Sequence, residues 1–157
     1  MIPLRRSTAL HVHRMRHRSF VALALSCAVV QAHAQPHTEH AGAYVLRSST
    51  APTESFSAEA ARAQGITPSP RRAVLNVVVR REDGKADANV PAQVTATATD
   101  PAGVRRSIEM RPAIANDMVS YIGAFDFVPR QVLEFEIVAV PEGAGGKPIT
   151  LRYRDRM

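Results

Sequence analysis

The stretch AQVTATAT, residues 92–99, alternates small apolar residues with polar residues without interruption. Its valine and alanines fall on one side of an extended chain, and its threonines fall on the other. Successive side chains of a strand point to opposite faces, so this period of two predicts a strand with one buried and one solvated face. The next four residues, DPAG, are typical of a β-turn with proline at the second position. We therefore expect a second strand over 104–111, in which Arg106 is the single charged residue on the apolar side.

The same alternation recurs along the rest of the chain, with turn-forming residues between the segments. It predicts further strands over 43–49, 72–81, 118–127, 132–140 and 149–154. A short helix is expected after the first of these, with Ser57 as its N-cap and Gly65 at its end. About seven strands at this spacing are typical of an immunoglobulin-like antiparallel β-sandwich, although the pattern does not determine the strand order. The expected core consists of Leu75, Val77, Val79, Val94, Ala96, Ile108, Tyr121, Phe125, Leu133, Phe135, Ile137 and Leu151.

A leader over residues 1–34 precedes this domain. A basic segment beginning at Met15 is followed by an uncharged run over 19–31 and then by Ala32-His33-Ala34. These are the three parts of a secretory signal peptide, which predicts cleavage between Ala34 and Gln35 and a periplasmic or secreted product. The uncharged run is shorter than the roughly 20 residues that a membrane-spanning helix needs. Met15 is the expected start, and lipid attachment at Cys27 is the alternative to cleavage.

Removal of the leader changes what the composition implies. The whole chain has a formal charge of +6, but the segment after Ala34 has 15 basic and 14 acidic residues, a formal charge of +1. The basic excess thus belongs to the leader and does not indicate nucleic-acid binding. Cys27 is the only cysteine and also lies in the leader. The mature chain therefore has no disulfide and no thiolate nucleophile, and we expect no cofactor.

Only two histidines, His37 and His40, follow the cleavage site. They lie in QPHTEHAG, residues 35–42, which has no apolar stripe and is predicted to be a disordered tether ahead of a single domain over 43–157. Pro36 lacks the backbone N–H that an amino-terminal copper chelate would have to lose. Two histidines three residues apart share one face only in a helix, so they are weak candidates for metal ligands.

The stretch SAEAARAQGITPSPRRAVLNVVVR, residues 57–80, resembles an exported bacterial family known as domain of unknown function 4426. The features that carry the resemblance are the Gly65-Ile66 step, the Arg71-Arg72 connection and Asn76 within an apolar strand. YIGAFDF, residues 121–127, and LEFEIVAVPEG, residues 133–143, are similar to later strands of the family. The resemblance extends from about Tyr44 to the end, except in the 82–90 connection. It implies an exported β-fold and supplies no catalytic residue.

Within the domain, the residues do not form a recognisable catalytic constellation. The domain has no histidine to act as a general base, and it lacks a phosphate-binding loop. Glu134 and Glu136 alternate on one strand and are expected to lie on a solvated face. Arginine is the notable excess, with 13 in the mature chain against two lysines. The pairs Arg71-Arg72 and Arg105-Arg106 are the candidate contacts, since guanidinium groups bind carboxylates and phosphates through paired hydrogen bonds.

The sequence therefore favours an exported, non-catalytic binding module of the cell envelope. Its expected partner is an envelope protein or an anionic glycan, and neither nucleic acid nor a transmembrane segment of the mature chain is expected. The alternative is a periplasmic metal-handling protein that uses His37 and His40, with Met110 or Met118 as candidate further ligands.

Overall fold

Residues 36–83 and 88–157 are described by the computed structural model of the chain. The elements in chain order are β1 (His37–Ala41), β2 (Tyr44–Pro52), a 3₁₀ turn (Thr53–Ser55), α1 (Ala58–Ala63), β3 (Arg72–Arg81), β4 (Ala88–Asn89), β5 (Ala92–Thr99), β6 (Arg105–Ile108), β7 (Arg111–Ala115), β8 (Met118–Asp126), β9 (Val132–Pro141) and β10 (Ile149–Arg156). The predicted leader, including its cleavage site between Ala34 and Gln35, lies outside the described residues. No helix in the described part is long and apolar enough to cross a membrane.

The strands form two antiparallel sheets, which confirms the predicted β-sandwich. The first sheet has the order β1-β2-β3-β8-β7, with the short β4 paired to one end of β3. The second has the order β10-β9-β5-β6. The described residues form ten strands where about seven were expected, because β1 and β4 were not predicted and one predicted strand is divided in two.

The alternating side chains of both sheets meet in one core. Phe135, Leu75 and Ile137 are completely buried, and Phe135 makes an edge-to-face contact with Phe125. Every predicted core residue is buried except Val94, which packs against the core while remaining partly exposed. The observed register thus places the apolar members of the period-two pattern inside, as the sequence predicted.

The single strand predicted over 104–111 is wrong. The chain instead forms β6, which pairs with β5 in the second sheet, and β7, which pairs with β8 in the first. The connection between them crosses from one sheet to the other over Gly123, where a Cβ atom would lie 2.7 Å from the carbonyl oxygen of Glu109. Alternation alone cannot reveal this crossing, because the residues on both sides of it remain extended.

The disordered tether predicted over 35–42 is also wrong where the structure describes it. His37–Ala41 form β1, an edge strand that pairs with β2 along its whole length. The imidazole of His37 stacks on the ring of Tyr153, with 3.7 Å between the ring centroids. Within the described residues the sandwich therefore includes His37–Ala41, and pairing with a neighbouring strand supplies the order that the local sequence does not.

The predicted short helix is confirmed as α1. The Ser57 hydroxyl accepts a hydrogen bond from the Ala60 N–H, as an N-cap should. Ala61 and Ile66 pack on Val74, so the helix covers part of the outer face of the first sheet. The preceding 3₁₀ turn is held by the fully buried Thr53, whose hydroxyl accepts from the Ser69 N–H and lies 2.9 Å from the Arg72 carbonyl.

Candidate functional site

Arg106 lies on the inward face of β6, close to the end of the sandwich. Its cross-strand partner is Ala98, and Ile108, two residues further on, is opposite Ala96. Both alanines belong to the core, so the charged Arg106 occupies a position that the strand pattern assigns to an apolar side chain. Its side chain is 62% exposed, which shows that the guanidinium reaches solvent at the rim.

Asp100 fixes the turn that leads into β6. One of its carboxylate oxygens accepts hydrogen bonds from the backbone N–H groups of Ala102 and Val104, at 3.0 and 2.9 Å. The other lies 3.2 Å from the Arg106 guanidinium. The hydrogen bond from Val104 and those from Arg106 and Ala102 hold the pKa of Asp100 below its usual value. The carboxylate therefore stays ionised at neutral pH and holds the positively charged Arg106 at the rim.

A cavity of about 460 Å³ opens beside Arg106, bounded by residues 98–108 of β5, β6 and their turn, and by residues 124–133 of β8, β9 and the loop between them. We refer to it as the slot. Its floor is apolar and includes Phe125 and Leu133, and its rim carries Arg106 and Val128. Val128 is 63% exposed although it is a large hydrophobic residue. A volume of this size lies within the range of about 300–1,000 Å³ that ligand pockets occupy.

The slot exists because neighbouring strands end early. Among the described strands, β6 pairs with β5 on one side only. β7 pairs with β8 no further than Ile122, so residues 123–126 of β8 have no paired strand on that side among the described residues. Unpaired strand edges carry free backbone N–H and C=O groups. The slot thus combines an apolar floor with two strand edges that can form hydrogen bonds.

Arg72 reaches the same part of the molecule through Asp126. These residues are opposite each other on β3 and β8, and the Arg72 Nε lies 2.9 Å from a carboxylate oxygen of Asp126, a residue that lines the slot. The hydrogen bond from Arg72 holds the pKa of Asp126 below its usual value. Arg71 contributes its carbonyl oxygen, which accepts from the N–H of Phe127 at 2.9 Å. Within the described residues, the Arg71 guanidinium has no ion pair.

The four predicted arginines therefore do not form one site. Arg106 lines the slot, Arg72 flanks it through Asp126, and Arg71 fixes the backbone of its wall. Arg105 points to the opposite face of the second sheet, where its guanidinium lies 3.3 Å from Glu136. Adjacent residues of a strand face opposite ways, which separates Arg105 from Arg106.

The two histidines do not form a joint metal site either. His37 and His40 are three residues apart on β1, so their side chains project from opposite faces of the strand. The His37 ring is held against Tyr153, whereas His40 is exposed. Among residues 36–83 and 88–157, no group of three or more histidine, cysteine, aspartate or glutamate side chains is placed to hold a metal ion. The side chains present thus do not fit a two-histidine centre.

Comparison with known proteins identifies the family. The model of the domain of unknown function DUF4426 matches residues 38–157. The chain belongs to the DUF4426 family. The match begins at residue 38, a few residues before Tyr44, at which the resemblance in the sequence starts. It therefore includes most of β1. No match is found among the curated proteins.

Solved structures show the same fold. A DUF4426 family protein of Pseudomonas aeruginosa PAO1 is 23% identical with a TM-score of 0.66, and the alignment covers 78% of this chain and 94% of that one. FetP of uropathogenic Escherichia coli strain F11, recombinantly expressed in the periplasm of E. coli, is 14% identical with a TM-score of 0.57, covering 78% and 95%. A copper-bound variant of FetP is 12% identical with a TM-score of 0.59, covering 79% and 95%. At these identities the likeness establishes the fold of the DUF4426 chain.

Sequence reasoning missed three residues of the slot. The sequence places Asp100 in a turn, and its position before Pro101 is common for side chains that bond to the backbone of a turn. The sequence does not mark Asp126 or Val128 as site residues, because Asp126 depends on strand pairing and Val128 on the geometry of a loop. Arg106 did give a signal, since it was the one charged residue on an otherwise apolar strand face.

Proposed function

We propose that this DUF4426 chain is an exported, non-catalytic binding module of the cell envelope, and that its slot receives an extended segment of a partner protein. The observation that carries the proposal is the unpaired strand edge of β8 over residues 123–126, beside a cavity of about 460 Å³ whose floor includes Phe125 and Leu133. A peptide that adds to a free edge gains main-chain hydrogen bonds, while alternate side chains enter a neighbouring pocket.

The charges around the slot support a peptide ligand over a small ion. Arg106 is matched by Asp100 and Arg72 by Asp126, so each rim cation has its own carboxylate. The slot therefore has no excess charge that would select a free anion or cation. Its apolar floor and the exposed Val128 instead favour a ligand that brings hydrophobic side chains and a backbone.

We propose that the slot does not catalyse a reaction, because of the surroundings of its ionisable groups. The carboxylates of Asp100 and Asp126 are both held in ion pairs with lowered pKa values, which suits a fixed anion better than a proton donor. His37 and His40, the histidines of the described part, lie on β1 and do not line the slot. A general base next to a nucleophile is thus missing from the residues that line the slot.

Export is the second part of the proposal, and the predicted signal peptide supports it. We expect cleavage between Ala34 and Gln35, which would leave Gln35 two residues before the start of β1. Mass spectrometry of the protein purified from its native host should give a mass that begins at Gln35, with or without cyclisation of that glutamine. A mass that retains residues 15–34, or a lipid on Cys27, would contradict the cleavage that we propose.

Site-directed photo-crosslinking in living cells tests the slot. A photoreactive residue at Val128, at the mouth of the slot, should capture a partner, and the matched control is the same residue at Ile114, which is 77% exposed on β7. Capture from position 128 should fall in the Arg72→Glu and Arg106→Glu chains, and mapping should place the crosslink in an extended segment of the partner. Equal capture from both positions, or turnover of an envelope substrate by protein that lacks both arginines, would contradict the proposal.

Metal handling remains the second candidate function, because a copper-bound form of FetP has the same fold. In this chain it would have to proceed through single histidines, since His37 and His40 face opposite ways. Copper titration of the His37→Ala and His40→Ala variants distinguishes the two functions. Stoichiometric binding that is lost in either variant would favour metal handling, whereas the absence of stoichiometric binding by the unsubstituted protein would leave the slot as the functional site.

A further inference from the structure

The outer face of the second sheet carries a surface that the slot does not use. Its outward residues on β6, β9 and β10 include four arginines and two glutamates, a formal excess of two positive charges. The arginines are Arg105, Arg152, Arg154 and Arg156, and the glutamates are Glu134 and Glu136. We call these six residues the arginine face.

The ion pairs on this face are uneven, because four arginines share two glutamates. Glu136 is shared by Arg152, whose Nε is 2.6 Å away, and by Arg105 at 3.3 Å. Glu134 pairs with Arg154 at 3.0 Å. Arg156 is exposed opposite Val132 and has no ion pair among the described residues. Two guanidinium charges are therefore left over, in contrast to the slot, where each arginine has its own aspartate.

The excess charge lies along a line. Arg152, Arg154 and Arg156 occupy alternate positions of β10, so their Cα atoms repeat every ~7 Å along one edge of the sheet. The side chains of Arg152 and Arg154 are 65% and 75% exposed. Each guanidinium has five N–H donors, most of which the glutamates leave unused. A regular row of exposed arginines is complementary to a chain that repeats carboxylates.

From this geometry we propose that the arginine face binds a linear anionic polysaccharide through its carboxylate groups. Guanidinium groups bind carboxylates through paired hydrogen bonds. Single-stranded nucleic acid would need aromatic side chains on which bases stack, and the outward residues of β9 and β10 include none. A membrane surface would need exposed apolar side chains to insert, and among the described outward residues of β6, β9 and β10 Val132 is the one exposed large hydrophobic residue, at 37%.

Polygalacturonate is the probe, and its fully methyl-esterified form is the matched control, since the two polymers differ in the charge of each sugar. Calorimetry or a retardation gel at low salt should detect binding of polygalacturonate alone. Binding should weaken with added salt, because the attraction lies at an exposed surface. Equal binding of the esterified polymer, or no binding of either, would overturn the proposal, as would tighter binding of single-stranded DNA or of phosphatidylglycerol vesicles.

Variants locate the site. Substitution of Arg152, Arg154 and Arg156 by glutamine should weaken binding roughly tenfold or more, because three charge-assisted contacts are lost. The control removes three arginines elsewhere, at Arg47, Arg62 and Arg81, and should change the affinity by less than about threefold if the effect is local. Equal losses of affinity in the two triple variants would show that the interaction depends on net charge alone, and would refute binding at the arginine face.

Replacing the two glutamates with uncharged glutamines should change the affinity in the opposite direction. In the Glu134→Gln, Glu136→Gln chain the arginines lose their internal partners and become available to the polymer. The affinity should rise several-fold, since the ligand no longer competes with these carboxylates. An unchanged or weaker affinity in a chain that still folds would contradict binding through these arginines. The result is independent of the slot, because Arg106 and Asp100 are untouched.

Discussion

Tyr153 should make the stability of the sandwich sensitive to alkaline pH. Its ring stacks between His37, at 3.7 Å, and Phe135, at 5.1 Å, and its hydroxyl lies 2.9 Å from the buried Ser48 hydroxyl. Burial raises the pKa of Tyr153 to about 12; the hydrogen bond with Ser48 opposes this rise, and the nearby Asp155 carboxylate adds to it. In an unfolded chain the pKa of tyrosine is about 10.

The sign and size of the effect follow from these two pKa values. Between pH 10 and 12 the unfolded chain releases the phenol proton while the folded chain keeps it, so the free energy of unfolding falls as the pH rises. The contribution is fully present below pH 10. It falls by about 1.4 kcal/mol at pH 11, and by roughly 2–3 kcal/mol in total once the pH exceeds both values. This is a large share of the roughly 5–15 kcal/mol that stabilises a typical domain.

Equilibrium urea unfolding, followed by circular dichroism at pH 9, 10, 11 and 11.5, measures this loss. The matched control is Tyr153→Phe, which retains a stacked ring and has no phenol to ionise. The other tyrosines and the two lysines are common to both proteins, so the difference between the two pH profiles isolates Tyr153. The wild-type protein should lose about 1 kcal/mol or more relative to the variant between pH 9 and 11. Parallel profiles would refute the assignment of a raised pKa to this buried phenol.

Three further predictions concern the fold. Phe135→Ala should cost roughly 3–5 kcal/mol in urea unfolding, because the side chain is completely buried between two rings; a loss below about 1 kcal/mol would place this residue outside the core. Thr53→Val should cost roughly 1–3 kcal/mol by leaving the Ser69 N–H without its acceptor, whereas the exposed Ser55→Ala control should change stability little. Deletion of residues 35–41 should lower the melting temperature by several degrees, since it removes β1 and its stack on Tyr153; an unchanged temperature would show that β1 acts as a tether.

The parts of the fold that the sequence predicted are those in which local pattern and tertiary environment agree. In β5 and β9 the apolar residues alternate because one face of each strand is buried, so the pattern itself records the core. Ser57 and Gly65 mark the ends of the helix through their own backbone and capping preferences. Such features depend on a few neighbouring residues, and a single sequence contains them.

The parts that the sequence did not predict depend on distant partners. Nothing in HTEHA, residues 37–41, favours a strand, and β1 is ordered by pairing with β2 and by the contact between His37 and Tyr153. The crossing between β6 and β7 is likewise fixed by the close approach to Gly123 from another strand. Strand order and sheet membership are set by such long-range contacts, which alternation does not encode.

The candidate site, like the fold, could be predicted from the sequence only in part. The arginine pairs were visible as a compositional excess, and the inward position of Arg106 followed from strand parity. The aspartates that neutralise Arg72 and Arg106 were not identified, because Asp126 becomes a partner of Arg72 only through the register of β3 and β8. This omission mattered for function. Unpaired arginines would have suggested an anion site at the slot, whereas the observed pairs remove its excess charge.

The neighbouring residues Arg105 and Arg106 show how one short strand can serve two surfaces. The turn held by Asp100 sets the register of β6, and that register sends Arg106 to the slot and Arg105 to the arginine face. A shift of one residue would exchange the two side chains and place Ile108 in solvent, at a cost of roughly 1.5–3 kcal/mol for the isoleucine alone. The burial of Ile108 therefore fixes which arginine reaches each surface. A neutral slot suited to a peptide and a positively charged face suited to a polyanion can thus lie on opposite sides of the same sheet, because the core residue between them holds both in place.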